Sequence, residues 1–136
     1  MPEFTVGRSV MIVAILLTVA IGCGIAYRVK SNQLEIEHRV TAVTGGNPQH
    51  GRQLVRATGC TGCHEIPHVS GANGTVGPPL NSLARRVYIG VALNTPENLI
   101  RWLRDPRSID PMAAMPNVGL SEQDARDVAA FLYTLD

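Results

Sequence analysis

Net charge, aromatic residues and cysteines are all scarce in this chain. The formal net charge over 136 residues is +1 and no basic run occurs, which excludes a nucleic-acid-binding protein of the polybasic kind. Three cysteines, with Cys23 isolated in an apolar run far from the other two, do not make a disulfide framework. The aromatics are Phe4, Tyr27, Tyr88, Trp102, Phe131 and Tyr133, few for a core. The roughly 90 residues after Gly45 are a marginal length for an unaided hydrophobic interior. There is no internal repeat and no low-complexity segment.

What is present centres on Cys60-Thr61-Gly62-Cys63-His64. This is the C-x-x-C-H spacing of covalent attachment to a c-type haem. Two thiols at this spacing reach the two vinyl groups of one haem and form thioethers. The adjacent His64 then presents an imidazole nitrogen to the iron. A C-x-x-C pair also serves as half of a zinc site, for which His68 could supply a further ligand, or as a redox dithiol. The dithiol usually opens a helix after a strand, and no strand reads clearly here. A buried porphyrin would supply the apolar interior that so small a domain lacks.

Ser9 to Tyr27 (SVMIVAILLTVAIGCGIAY) carries no charge. At 1.5 Å rise it spans about 28 Å, close to the hydrocarbon core of a bilayer. Arg8 bounds one end, and Arg28 and Lys30 the other. The pattern predicts a single transmembrane helix over 9–27 after a short tail at 1–8. A buried soluble helix has no interior to enter in a chain this short. A cleaved signal peptide remains an alternative, as does a lipoprotein signal, because Val19-Ala20-Ile21-Gly22-Cys23 loosely resembles a lipobox.

Residues 28–46 form the expected linker, polar with scattered Leu34, Ile36, Val40 and Val43, either continuing the helix or forming a stalk. Thr44-Gly45-Gly46-Asn47-Pro48 breaks the pattern and opens a domain over 47–136. Asn47 is an N-cap with Pro48 at the first helical position, and Gln49 to Ala57 reads as a short helix with Leu54 and Val55 inward. Val69 to Gly77 is loop. Thr95-Pro96-Glu97 starts a further helix, carried by Leu99, Ile100, Trp102 and Leu103 and ended at Asp105-Pro106. Ser121 caps the last helix, with Ala125, Val128, Ala129, Leu132 and Leu135 at helical spacing.

For the second axial position the downstream candidates are Met115, Met112 and His68. Met115-Pro116 sits in a loop between two helices, from which a thioether can project onto the free haem face. Met112 is its direct competitor, and a lone methionine is also ordinary core packing. His68 is too near His64 to cross easily to the opposite face, and His38 and His50 read as solvated. Gly77-Pro78-Pro79-Leu80 offers a carbonyl that could accept the other ring N–H of His64, or is a plain rigid loop.

The order of these features over residues 46–136 resembles class I cytochrome c, an all-α fold wrapped around one covalent haem. The resemblance implies that Cys60 and Cys63 bind haem c, that His64 and Met115 are axial to the iron, and that the Pro78 carbonyl accepts from His64. It also implies that the first and last helices cross near Gly51 and Phe131. Tyr88-Ile89-Gly90-Val91 and Asn94 to Pro106 look like the cytochrome c domain fused to subunit II of some haem-copper oxidases. There the tryptophan lies near the haem edge, so Trp102 is a candidate propionate contact, with core packing as the alternative. The chain lacks that subunit's cupredoxin domain, and no second Cys/His cluster could hold a dicopper centre.

The resemblance implies a one-electron carrier, not an enzyme in its own right. The expected partners are the lipid bilayer and a membrane respiratory complex: a terminal oxidase, a quinol–cytochrome c reductase or a dehydrogenase. The flanking charges (Arg28 and Lys30 against Arg8) point the domain inward by the positive-inside rule. Covalent haem attachment, as the family performs it, places the domain on the periplasmic side of the inner membrane, and this sets the expected topology, with the 1–8 tail in the cytoplasm. Nine Arg against ten Asp and Glu follow Lys30, so no strong steering field is present. If Met115 does not ligate, an open iron would instead bind gases or reduce peroxide. A third reading is a structural subunit whose haem is a fixed relay within a larger complex.

Overall fold

The computed structural model describes residues 3–135; Met1, Pro2 and Asp136 lie outside the described residues, so the expected 1–8 tail is described only from Glu3. The chain divides into two compact units, one up to Glu35 and one from Ile36 onward. Helix α1 (Glu3–Thr44) runs through the apolar stretch and on through the segment expected as linker. In the first unit the span is long and apolar enough to cross a membrane, and none of it is buried within the chain. A helix apolar on every side has no polar face to offer water.

The second unit begins upstream of Asn47 because the last turns of α1 pack into it. Val40 and Thr44 are buried. The closing carbonyls of α1 find donors on the last helix: Arg126 Nη1 reaches the Thr44 carbonyl at 3.0 Å and Gln123 Nε2 the Gly45 carbonyl at 3.2 Å. These side chains satisfy acceptors that a helix end otherwise leaves unpaired.

The elements of this unit are α2 (Pro48–Ala57), α3 (Cys60–Cys63), a hairpin of β1 (Tyr88–Ile89) and β2 (Ala92–Leu93), α4 (Pro96–Arg104) and α5 (Glu122–Leu132). The starts follow local chemistry. Asn47 Oδ1 accepts from the amides of Gln49 and His50, Thr95 Oγ1 from that of Asn98, and Ser121 Oγ from that of Asp124. Pro48 and Pro96 sit where a missing amide costs nothing. The antiparallel hairpin, paired Tyr88 to Leu93 and Ile89 to Ala92, is an addition to the expected all-α pattern. The core gathers Val55 from α2, Leu99 and Leu103 from α4, and Val128, Ala129 and Leu132 from α5, with Phe131 also buried. The helical stripes read from spacing are therefore the buried faces.

Helices α2 and α5 cross in contact. Gly51 lies against the backbone of Asp127 and Val128. Beside this crossing Asp127, only 4 % exposed, accepts from the Asn47 amide at 2.8 Å, from Gln123 Nε2 at 2.9 Å, and pairs with His50 Nδ1 at 2.7 Å. His50, expected to be merely solvated, is exposed yet tied to a buried carboxylate. Burial pushes the Asp127 carboxyl up, but the hydrogen bonds from His50, Asn47 and Gln123 outweigh it and hold it below its ordinary 3.8. A depressed carboxyl stabilises the fold above its unfolded value and loses that contribution as pH falls through its folded value. Asp127→Asn should therefore cost about 1–3 kcal/mol near neutrality. It should also flatten the loss of stability below pH 3.8, read by thermal melts across an acid series. An unchanged acid limb would mean that Asp127 does not carry it.

Candidate functional site

Helix α2 closes with Thr58 Oγ1 on the Leu54 carbonyl at 2.8 Å, and the chain turns directly into α3. This single turn places Cys60 and Cys63 three residues apart, on one side of the helix. His64 ends the turn: its amide donates to the Cys60 carbonyl at 2.9 Å, and its backbone is extended, so its ring leaves the helix.

The ring meets the 77–81 segment. The Gly77 amide donates to the Cys63 carbonyl at 2.8 Å. A Cβ built on Gly77 would lie 2.3 Å from His64 Cε1, so only bare backbone lets the ring lie where it does. His64 Nδ1 is 2.8 Å from the Pro78 carbonyl oxygen. A carbonyl can only accept, so in the neutral ring Nδ1 carries the hydrogen and Nε2 holds the lone pair that a metal would take.

Cys60, Cys63, His64 and Met115 line one cavity of about 420 Å³ together with core side chains such as Val55 and Leu99. That volume falls within the ~300–1,000 Å³ range of cofactor sites. Two half-buried thiols, a free imidazole lone pair, a thioether and an apolar wall are the donor set that covalently attached haem requires. The zinc alternative lacks its further ligand. His68 is exposed, takes φ 61° and does not line the cavity. Among the described residues, the His, Cys, Asp and Glu side chains close enough to share one ion are His50, Asp124 and Asp127, not the cysteines.

The two methionines differ. Met112 touches the cavity but is 88 % exposed, whereas Met115 is partly buried against the core. Trp102 is also partly buried against the core and lines the cavity, and its ring packs over Gly90, where a Cβ would lie 2.5 Å from Cζ3. Arg86 and Asp110 line the cavity too and were not singled out from sequence. Nothing in an Arg85-Arg86 pair tells which guanidinium turns inward.

The family model for cytochrome c matches residues 48–136. Cytochrome c oxidase subunit 2 of Alkalihalophilus pseudofirmus (strain ATCC BAA-2126 / JCM 17055 / OF4) is 36 % identical over 88 residues, which cover 62 % of this chain and 25 % of that protein. The chain thus spans about a quarter of the length of this relative. With the family match extending from the start of α2 to the C-terminus, the chain belongs to the cytochrome c family of electron-transfer haem proteins.

Proposed function

We propose that the chain is a membrane-anchored carrier of single electrons, holding one haem c through Cys60 and Cys63, with His64 and Met115 axial to the iron. The observation that carries this reading is the convergence of those four side chains on one apolar cavity. When bound, the haem supplies a reversible one-electron couple. The residues do the rest. Pro78 fixes the His64 tautomer, the two cysteines would tether the group, and Met115 would hold the iron from the side away from His64, which would leave substrate no route to the metal.

The uniformly apolar part of α1 supports a single-pass anchor, and covalent haem attachment as the family performs it argues for a haem domain on the periplasmic side of the inner membrane. Anchoring restricts encounters to the membrane surface and raises the effective concentration of a membrane-bound partner. The likeness to an oxidase subunit supports a terminal oxidase as that partner. Reduced donor delivers one electron and oxidised acceptor removes it.

The test is a visible spectrum, oxidised and reduced, with acid-acetone extraction of the denatured protein. Haem that stays with the polypeptide, together with the far-red band of Met-ligated ferric haem, is the expected result. Covalent haem without that band would move the site to open iron or to bis-His ligation, and no haem would sink the assignment. Cys60→Ser should leave at most a single thioether and poor maturation, read as haem per polypeptide. Normal haem content in that variant would overturn the attachment reading.

A further inference from the structure

The 77–81 segment that presents the Pro78 carbonyl to His64 has an unusual weakness. Two adjacent prolines supply no amide donor, so the chain between Gly77 and Leu80 has no N–H with which to tie itself down. Its flanks are held by the Gly77 amide on the Cys63 carbonyl and the Leu80 amide on the Glu65 carbonyl, each at 2.8 Å. The peptides between can be fixed only through their carbonyls. Arg86 does this. Its Nη2 donates to the Pro79 carbonyl and, at 3.1 Å, to the Asn81 carbonyl.

Arg86 is in turn held from behind. Asn94 Nδ2 donates to the Arg86 carbonyl at 2.9 Å and to the Leu83 carbonyl at 2.7 Å, while Asn94 Oδ1 accepts from the Tyr133 hydroxyl at 2.7 Å. Burial, with the Glu97 charge adding to it, pushes the Tyr133 phenol up to about 12, so this donor keeps its proton at neutral pH. A chain of contacts therefore runs from the end of α5 through Asn94 and Arg86 to the two prolines and His64.

We infer that Arg86 is a positioning residue for the axial histidine, clamping the Pro-Pro segment so that the Pro78 carbonyl stays on His64 Nδ1. This rests on the haem reading above. A firm bond to Nδ1–H raises the donor strength of Nε2 and favours the oxidised iron; a loosened one does the reverse. Arg86 also brings a positive charge to the cavity, whose loss would act in the opposite sense. Arg86→Lys separates the two, because lysine keeps the charge and loses the planar fork.

The experiment uses the full haem-loaded chain in detergent. Solvent exchange of the His64 Nδ1 proton is followed on its hyperfine-shifted NMR line, with the reduction potential measured alongside. Arg86→Lys should exchange at least about tenfold faster than wild type, with a raised potential and the far-red band retained. Asn94→Ala, which loosens Arg86 from behind, should shift both readouts the same way by less. Ile100→Ala, a truncation of a buried core residue that does not line the cavity, should lower the melting temperature and move neither. Wild-type exchange and potential in Arg86→Lys, or in Asn94→Ala if the lysine variant does not accumulate, overturn the clamp. An equal exchange rise in Ile100→Ala does so too, because general loosening would then explain it. Absence of covalent haem from wild type would instead overturn the haem reading and the clamp with it.

Discussion

Met115→Ala should bind CO in its ferrous state, lose the far-red ferric band, and show a potential lower by on the order of 0.1 V or more. Axial ligation commands a range of ~0.8 V across haem proteins, and a thioether holds the reduced state. The direction follows from removing a soft ligand that favours ferrous iron. The size follows from losing an axial bond outright, where a neighbour's change would merely tune it. Met112→Ala is the paired measurement and should leave spectrum, CO affinity and potential at wild-type values.

The contrast has a structural basis. Met112 tops a turn closed by its own amide on Asp110 Oδ1 and by the Ala113 amide on the Asp110 carbonyl, each at 2.9 Å. That turn leaves the Met112 side chain in solvent and buries Ala113 instead. Met115 follows with its thioether against the core. If CO binding appears in Met112→Ala and not in Met115→Ala, the axial assignment passes to Met112.

Gly51→Ala should lower stability by about 3 kcal/mol, the upper end for an overpacked core, or more. For a domain of this size that means a melting temperature lower by roughly 12 °C or more. A Cβ at position 51 would sit 1.9 Å from the Asp127 carbonyl oxygen, 2.4 Å from its carbon and 2.9 Å from the Val128 amide nitrogen. Both sides of the contact are backbone, so no flexible side chain can swing away. The helices must part, and parting them opens the layer of Val55, Val128 and Ala129, all fully buried. It also stretches the Asp127 contacts to Asn47 and His50. Thermal unfolding of the haem-loaded protein reads the effect, and a melting temperature within a degree or two of wild type would mean that the crossing is looser than this.

The parts of this molecule that were legible in the chain are those governed by neighbours along it. The caps at Asn47, Thr95 and Ser121 work through amides two or three residues on, and the α4 and α5 stripes repeat at helical spacing. The C-x-x-C-H motif is equally local, since one helical turn places both thiols. The hairpin at 88–93 escaped notice because two-residue strands are too short for an alternating pattern to register. The linker read as a possible stalk is helix to Thr44, with its end held by Arg126 and Gln123 from the opposite end of the chain.

Sequence alone settled what chemistry the chain could hold: two thiols and an imidazole at one spacing, a choice of two methionines, an apolar run of membrane length. It left open which groups would meet. Met115 lies against the core while Met112 stands in solvent, because a turn at Asp110 rotates one inward. Asp127 binds His50 across 77 positions, and Tyr133 reaches Asn94 across 39. Such pairings depend on how the elements fold back on one another, and no local propensity encodes that. The same holds for Arg86, whose neighbour Arg85 is chemically identical: folding alone turned one guanidinium to the Pro79 and Asn81 carbonyls beside the cavity.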